Sequence, residues 1–480
     1  MKSVALRACT TLLLAAAIDP AAQLHAQQAD TQNRQLAHDI FQQLIEINTT
    51  DSVGSTTVAA QAMQKRLLEA GFPAADVQLL GPNDRKGNLV VRYRGTGAKK
   101  PILIIAHLDV VEALREDWTT DPFKFVEKEG FYYGRGTQDM KEDDALFVAD
   151  FIRLWKEGYK PDRDIILALT ADEEGGKSNG VAWLLKNHHD LVDAAFVINP
   201  DSGGIDLSQG KPLLVAVEAT EKVYADYQLT VTNPGGHSSL PRPDNAIYHI
   251  SDALVRLEHY VFPFELNAVT KTYFTRLASR AEGQMAADMT AILKPVPDPE
   301  AIRRLSQDPH YNSTLRTTCV ATRLNAGHAN NALPQTAQAN VNCRIFPGHS
   351  PEQIRKQLST VFDDDKITVK YVNDAGEVFD TAPERTVISP PPPLPEVFEP
   401  LERIAAEFWP GAPVVPIMET GASDSIYMAA AGIPSYGFSA IALESNDMRA
   451  HGKDERVPVN SYYQAVEFYY RYLKAISSAK

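Results

Sequence analysis

Residues 165–176 read IILALTADEEGG, an apolar run that ends in the adjacent acids Glu173 and Glu174 and two glycines. The continuous apolar residues predict a strand that is buried on both faces. Adjacent side chains diverge after a strand, so one carboxylate can hold a metal ion while the other transfers a proton. The stretch therefore predicts both the core of an α/β sheet and a reactive edge.

Three more apolar segments predict neighbouring strands, at residues 88–93, 102–106 and 195–198. Helical patterns at residues 143–157 and 180–187 separate the later strands. Strands that alternate with helices are typical of an α/β sheet covered on both faces. Ligands of such sheets gather at the carboxyl ends of the strands, which is where the acidic pair lies.

Further polar side chains lie in similar positions. His107 and Asp201 also follow directly after predicted strands. Asp109 lies two residues after His107, and a nearby carboxylate commonly holds the second ring nitrogen of a metal-ligating histidine. Asp139 stands in a loop bracketed by glycines, and His451 precedes the last predicted helix. Together with the acidic pair, these residues make a ligand set for two metal ions.

The pattern changes near residue 222, where alternating polar and apolar residues predict half-exposed strands. The predicted order from there is strand, helix, strand, strand, helix, strand, which is typical of a ferredoxin-like unit. Residues 258–315 exceed this basic unit and read as an extra, mostly helical insertion. We therefore predict a second, smaller domain.

The chain then returns to the first domain through a proline-rich stretch at residues 390–395. A helix at 399–408, a strand near 434–438 and a helix at 460–477 complete that domain. The predicted segments are an export signal at 1–26, a catalytic domain at 27–219 and 388–480, and an inserted lid at 220–387.

The composition and the first residues limit the possible partners and the cellular location of the protein. The chain has 480 residues and a formal net charge of −14, which argues against nucleic acid or an anionic membrane as a partner. Lys2 and Arg7, an apolar run at residues 8–18 and a small residue at Ala26 predict a cleaved export signal. We expect an exported, periplasmic or secreted protein that has no membrane partner after cleavage.

Cys319 and Cys343 are the only cysteines of the predicted mature chain. Each lies in a strand-like segment, so neighbouring strands could bring them together, and an oxidising compartment would permit a disulfide. Two buried free thiols are the equal alternative. The spacing does not support a cysteine metal site.

Nine segments between residues 107 and 456 resemble motifs of the co-catalytic di-zinc metallopeptidases. That family includes aminoacylase, glutamate carboxypeptidase, acetylornithine deacetylase, carnosinase-type dipeptidases and yeast carboxypeptidase S. The segments occur in the family's order and read HLDVV, YGRGTQDMK, TADEEGG, NPDSGG, PGGHSS, NNALPQ, NCRIFPG, ETGASD and HGKDER. The resemblance implies an α/β fold with a zinc-peptidase-like mixed sheet flanked by helices and an inserted ferredoxin-like α+β lid.

The resemblance implies metal-binding roles for five residues. His107 would hold one metal together with Glu174 or Asp201, and both pairings stay open. Asp139 would bridge the two metals, and His451 would complete the shell of the second. The implied cofactors are two divalent ions, with zinc preferred and manganese or cobalt as alternatives.

The resemblance also implies catalytic and substrate-binding roles. Glu173 would be the general base, and Asp109 would support His107. His237 looks like the lid histidine that stabilises the tetrahedral oxyanion. Arg344 looks like the guanidinium that grips a substrate α-carboxylate, with Asn331 nearby in the lid.

One departure from the family pattern affects the expected specificity. Many members have glycine after DMK, where this chain has Glu142, followed by Asp143 and Asp144. We expect these acids near the entrance of the site, where they would disfavour acidic substrates.

The leading hypothesis is a metallo-exopeptidase that cleaves the C-terminal amide of short peptides or N-acyl amino acids with a free carboxylate. The alternatives are a small-metabolite N-deacylase of the aminoacylase type and a non-catalytic metal-binding or peptide-binding protein. The oligomeric state also stays open. Dimeric relatives complete the site with the partner's lid histidine, whereas larger monomeric relatives have an enlarged lid.

Overall fold

The computed structural model describes residues 20–373, 376–382, 390 and 393–478. The predicted export signal therefore lies largely outside the described residues, as do residues 391 and 392 of the predicted return linker. In the described part of the chain, no helix has the length and apolar character needed to cross a membrane.

A ten-stranded mixed sheet flanked by helices forms the larger part of the molecule. Before the lid, its chain segment contains α1 (Pro20–Ile45), α2 (Thr56–Glu69), β1 (Val77–Leu80), β2 (Asn88–Tyr93), β3 (Ile102–His107), β4 (Val126–Lys128), β5 (Phe131–Tyr133), α3 (Lys141–Lys156), β6 (Ile165–Thr170), α4 (Gly180–Asn187), α5 (His189–Val192), β7 (Phe196–Asn199), β8 (Gly204–Ser208) and β9 (Lys211–Glu221).

The chain then forms a second, five-stranded sheet and the helices that accompany it. These elements are β10 (Val223–Thr232), β11 (Gly236–His237), α6 (Ala246–His259), α7 (Ala268–Ala278), α8 (Gly283–Ala291), α9 (Pro299–Leu305), α10 (Pro309–Thr314), β12 (Thr318–Ala326), β13 (Ala332–Leu333), β14 (Thr336–Ile345), α11 (Pro351–Phe362), β15 (Thr368–Val372) and β16 (Val378–Phe379).

The last segment returns to the first sheet. It contains α12 (Pro395–Phe408), β17 (Val414–Glu419), α13 (Ser425–Ala430), β18 (Ser435–Gly437), β19 (Ala442–Glu444), β20 (Arg456–Pro458) and α14 (Val459–Ser477).

The strand order explains how the two parts of the first domain combine. The first sheet runs β1-β2-β6-β3-β7-β18-β9-β8-β19, and β17 also pairs with β9. Strand β18, which follows the lid in the chain, therefore lies between β7 and β9, which precede the lid. Since the central strands β3, β6 and β7 are apolar and fully buried, they make a covered α/β sheet, as the sequence predicts.

The second sheet has the predicted ferredoxin-like arrangement. Its order is β12-β14-β10-β15-β16, and helices α6 and α11 pack on one face in a single apolar cluster. Along β10 and β14, buried and half-buried residues alternate strictly. The buried set faces the helices and leaves a polar face on the other side. The predicted fold class, an α/β domain with an inserted α+β lid, is confirmed.

Helices α7–α10 occupy the predicted helical insertion. Their apolar residues, such as Phe274 and Met289, form one cluster with Val415 of β17. Asn267 also donates to the sulfur of Met418 on that strand. The insertion thus packs on the edge of the large sheet and leaves β12 as an exposed edge strand of the lid. The domain boundaries themselves stay predictions.

Candidate active site

Three adjacent strands bring the predicted residues to one edge of the large sheet. Strand β3 pairs in parallel with β6 on one side and with β7 on the other. β3 ends at His107, β6 is followed by Glu173 and Glu174, and β7 is followed by Asp201. Since parallel strands end at the same edge, side chains from three separate segments meet there.

The predicted metal ligands sort into two sets that share Asp139. His107 Nε2 lies 3.1 Å from Asp139 Oδ1 and 3.6 Å from Asp201 Oδ1. His451 Nε2 lies 3.0 Å from Asp139 Oδ2 and 2.8 Å from Glu174 Oε1. Glu174 also offers an oxygen within 4.8 Å of ligand atoms of His107 and Asp139. The shorter distances nevertheless place Asp201 with His107 and Glu174 with His451.

This donor set fits divalent cations. Both His107 Nε2 and Asp139 Oδ1 are buried, and although they lie 3.1 Å apart, neither makes a hydrogen bond of acceptable angle to any described residue. Such atoms are costly to bury unless another group, here a cation, compensates them. Imidazole nitrogens and carboxylate oxygens suit zinc, and also manganese or cobalt. The five side chains could therefore hold two cations with Asp139 between them.

Asp109 contacts His107 differently from the prediction. The His107 Nδ1–H donates to the backbone carbonyl of Asp109 at 3.0 Å, whereas the carboxylate lies 3.8 Å from that nitrogen. The Asp109 carboxylate instead accepts the backbone N–H groups of Glu173 and Glu174, at 3.2 and 3.0 Å. Burial raises the pKa of Asp109 to about 6. The spacing predicts proximity to His107 but cannot distinguish backbone from side chain.

Glu173 lies beside the candidate metal ligands and lines the adjoining cavity. One of its oxygens is within 4.8 Å of ligand atoms of His107 and Asp201. Burial raises the pKa of Glu173 well above its ordinary value, and the nearby Asp201 carboxylate adds to the effect. A carboxylate with a raised pKa is suited to take a proton from water near neutral pH.

A buried ion pair that the sequence pattern does not reveal fixes the loop of Glu173 and Glu174. Lys86 forms ion pairs with Asp172 and, at 2.6 Å, with Asp51. Asp172 precedes the acidic pair, has a left-handed backbone with φ of 59°, and accepts the Ser178 N–H at 3.1 Å. A β-carbon at Gly176 would collide with the Asp172 carboxylate, so this tight loop requires glycine.

A second buried pair joins the two loops that carry Asp139 and His451. Arg135 and Glu455 form an ion pair and are both buried. Glu455 Oε1 also accepts the backbone N–H groups of Gly136 and Gln138, at 3.1 and 2.7 Å. The antiparallel pairing of β20 with β5 brings the loops together. Residues more than 300 positions apart therefore meet at the same cation site.

The acids that follow DMK do not lie at the entrance, so that expectation is wrong. Glu142, Asp143 and Asp144 form the first turn of α3, and each is at most 2% exposed. Burial raises the pKa of all three carboxyls well above their ordinary values. Because α3 is buried along its whole first turn, these side chains cannot select substrates directly.

A cavity of about 880 Å³ separates the catalytic edge from the polar face of the lid sheet. Glu173 and Glu174 line one wall, and Arg344 lines the other. The Arg344 guanidinium lies over the ring of Tyr224, 4.8 Å from its centre. Among the described residues, no carboxylate forms an ion pair with Arg344. The geometry agrees with its predicted role as a carboxylate-binding group.

His237 and Asn331 do not line this cavity. His237 lies in β11, which pairs with β13, and Asn331 directly precedes β13. Both side chains are exposed, and Ser238 N–H bonds to Asn331 O at 3.0 Å. β13 directly precedes β14, which begins at Thr336, whereas Arg344 lies at the other end of β14. At about 3.4 Å per residue, Thr336 and Arg344 are roughly 27 Å apart along the strand. Within one chain, His237 is therefore not brought to the cavity, because it lies beyond the end of the β10–β14 ladder that is remote from Arg344.

The two cysteines form a disulfide. Cys319 and Cys343 face each other in the β12–β14 register and are bonded. Of the two alternatives left open by the sequence, the structure has the disulfide. It joins the exposed edge strand to the strand that carries Arg344.

Comparisons with known proteins agree with this geometry. The profile of Peptidase family M20/M25/M40 matches residues 103–475. A probable carboxypeptidase S-like 2 from Dictyostelium discoideum is 30% identical over 405 residues, which cover 81% of this chain and 74% of that protein. An N-fatty-acyl-amino acid synthase/hydrolase PM20D1 from Xenopus tropicalis is 30% identical, covering 77% of this chain and 71% of that protein.

Among solved structures, the M20 family metallo-carboxypeptidase Sso-CP2 from Sulfolobus solfataricus has a TM-score of 0.65 and 16% identity. The match covers 92% of this chain and 99% of that one, and it supports the fold. The family profile extends over most of the chain, including both parts of the catalytic domain and the lid between them. The chain therefore belongs to Peptidase family M20/M25/M40 and is a hydrolase of that family.

Proposed function

We propose that this protein is a metal-dependent exopeptidase that hydrolyses the C-terminal amide bond of short peptides. One observation carries the proposal: a single cavity has Glu173 beside the candidate metal ligands on one wall and, on the other, Arg344, which forms no ion pair with any described residue. A guanidinium fits a planar carboxylate through two parallel hydrogen bonds. The arrangement suits a substrate that has an amide bond close to a free carboxylate.

The residues of the chain divide the reaction between them. Two bound divalent cations, held by His107, Asp139, Glu174, Asp201 and His451, would supply Lewis acidity and lower the pKa of water. Glu173 removes a proton from the attacking water and delivers it to the leaving nitrogen. Arg344 holds the α-carboxylate of the leaving residue, which places its amide bond within reach of Glu173.

Hydrolysis of N-acyl amino acids is the second candidate function. It is supported by the names of several relatives that are 26–30% identical, which are N-fatty-acyl-amino acid synthases/hydrolases. Both substrate classes have an amide and a carboxylate, so they differ only in what lies on the acyl side. On the catalytic side, the lining of the cavity includes the polar residues Asn179, Ser423 and Asp424, which favours a peptide over a fatty chain.

A substrate panel separates the two candidates. The protein is purified without metal, loaded with Zn, Mn or Co, and tested on dipeptides, tripeptides and N-acyl amino acids of increasing chain length. We expect the highest kcat/KM for a peptide, with about two equivalents of metal bound. Fastest turnover of a long-chain N-acyl amino acid would favour the second candidate. Binding of metal without any hydrolysis would contradict both.

We further propose that the active form is a homodimer in which His237 of the partner subunit reaches the cavity. The exposed edge strand β12 offers unpaired backbone groups for pairing, and the helical insertion packs elsewhere. His237 lies too far from Arg344 to serve the site of its own chain. In solution we expect twice the monomer mass by light scattering.

Mixed dimers test the contribution of the partner. H237A and E173Q variants are each expected to be inactive alone. A mixture that is allowed to exchange subunits should regain activity, because one site then combines an intact Glu173 with His237 of the partner subunit. Activity of H237A as a monomer would contradict the proposal.

We also propose that the protein is exported to the periplasm or secreted. The basic first residues and apolar run support a signal, and the disulfide between Cys319 and Cys343 suits an oxidising compartment. N-terminal sequencing of the exported protein should give a start near Gln27. Recovery of the uncleaved chain in the cytoplasm would contradict this proposal.

A further inference from the structure

The polar face of the lid sheet presents charged groups to the cavity in a fixed order. Tyr224 lies opposite Arg344, and Asp226 lies opposite Asn342, in the register of β10 and β14. All four line the cavity. Asp226 and Arg344 are therefore diagonal neighbours on one face, a separation of about 7–8 Å between backbone positions.

Asp226 is held in a fixed orientation, and no cation among the described residues forms an ion pair with it. Its Oδ1 accepts hydrogen bonds from the side-chain amides of Asn340 and Asn342, at 2.8 and 3.1 Å. Its Oδ2 accepts the Tyr224 hydroxyl at 2.5 Å. These three donors are neutral, and no lysine, arginine or histidine in the described part of the chain forms an ion pair with Asp226. The carboxylate is thus held in place by neutral donors.

The surrounding groups present acceptors to the cavity. Because Asn340 and Asn342 direct their amide nitrogens at Asp226, their carbonyl oxygens remain as acceptors beside it. Asn340 also donates to the Thr322 hydroxyl at 2.9 Å. A ligand group with several N–H donors and a positive charge suits such a wall.

We propose that Asp226 selects substrates whose C-terminal residue has a basic side chain, such as lysine or arginine. This inference rests on the proposed exopeptidase function. Arg344 binds the α-carboxylate of that residue, and Asp226 binds its side-chain cation one diagonal step along the sheet. The flexible four-carbon stem of lysine, or the stem of arginine, spans that step.

Arg323 is the other cation on this wall of the cavity. It pairs in register with Asn340, so it lies beyond Asp226 as seen from Arg344. Its side chain is exposed and forms no ion pair with Asp226 among the described residues. Arg323 therefore does not lie between Arg344 and Asp226, where the side chain of the substrate would bind.

Four matched peptides test the selection. N-benzoylglycyl peptides that end in Lys, Arg, norleucine or Glu share their acyl side and differ only in the C-terminal side chain. In the metal-loaded wild type, we expect kcat/KM for Lys and Arg to exceed that for norleucine by about tenfold or more. Glu should be the poorest substrate. Equal values for Lys and norleucine, or preference for Glu, would overturn the proposal.

The D226N variant identifies the residue responsible. Asparagine keeps the shape and can still bond to Asn340, Asn342 and Tyr224, so the variant should fold like the wild type, which circular dichroism checks. The Lys to norleucine ratio should fall to about one. D252N, which removes an exposed carboxylate on α6 at the other face of the lid sheet, should leave the ratio unchanged. A D226N enzyme that keeps its preference would overturn the proposal.

A binding measurement separates this proposal from the proposed function. If no peptide is cleaved, the exopeptidase function fails, but binding of free L-lysine and L-norleucine to the metal-loaded protein can still be compared by calorimetry. Tighter binding of lysine, lost in D226N, would support the selection by Asp226. Equal binding of the two amino acids would refute it.

Discussion

The two walls of the cavity differ in how their side chains are held. Directly behind the catalytic wall, His107 and Asp109 are 2% and 3% exposed, and buried ion pairs fix the loops around them. On the lid wall, Tyr224 is 36% exposed and Arg344 is held mainly by stacking on its ring. The difference indicates that the chemistry depends on rigid, buried loops, whereas substrate selection depends on a half-exposed sheet face that tolerates change.

The largest expected effect comes from the catalytic wall. The variant E173Q removes the proton acceptor but leaves the predicted metal ligands in place, so kcat should fall by roughly 10²–10⁴-fold. Metal content, measured by elemental analysis, should stay the same. E129Q, which changes an exposed glutamate on a distant turn, serves as the control. Retained turnover in E173Q would break the assignment of this wall to catalysis.

The next effect tests the lid wall. R344M removes the guanidinium but keeps an apolar stem, and kcat/KM should fall by about 10- to 100-fold because a charge-assisted contact is lost. The change should appear mainly in KM, since Arg344 holds the substrate and does not move protons. K356M removes an exposed lysine from α11 on the far side of the lid and should have no effect. If R344M lowered kcat and left KM unchanged, Arg344 would not act in substrate binding, and the two walls would not differ in their roles.

A smaller effect on activity is expected when the ion pairs of Lys86, which hold the loop of the catalytic wall, are broken. K86M breaks the ion pairs with Asp172 and Asp51, which should loosen the loop of Glu173 and Glu174 and lower kcat by about tenfold. K177M, in the same loop but exposed, is the matched control. Steady-state kinetics with a good peptide substrate gives the result. An unchanged kcat would show that the loop does not need this buried pair.

The smallest effect on activity is expected from the disulfide of the lid. The double variant C319A/C343A should lower the free energy of unfolding by about 2–4 kcal/mol. Because the β12–β14 ladder still keeps Arg344 in register, kcat/KM should change little. Denaturant unfolding and kinetics on the same sample measure both quantities. A large loss of activity with little loss of stability would contradict this expectation.

The catalytic wall could be predicted well because its signals are local. His107, Glu174 and Asp201 end or follow apolar strands, and parallel strands bring their ends together. The strand β17 was not predicted, since Pro416 interrupts its apolar run and is unusual within a sheet. The partners Lys86 and Glu455 were also missed, because their contacts join distant segments that no spacing reveals.

The lid shows where sequence reasoning reaches its limit. The alternation along β10 predicts the strand and its polar face, but not which other strand lies beside it. The distance between His237 and Arg344 depends on the length and direction of β14, so the motif alone could not place them at opposite ends. The burial of Glu142 similarly depends on how α3 packs against α1 and α14.

One comparison of substrates tests most directly whether the lid wall binds the substrate carboxylate while the catalytic wall carries out the chemistry. A peptide with a free C-terminal carboxylate and the same peptide with a C-terminal amide are given to the metal-loaded wild type and to R344M. We predict that the wild type prefers the carboxylate by about 10- to 100-fold in kcat/KM and that R344M loses the preference. Equal cleavage of both peptides by the wild type would contradict the account.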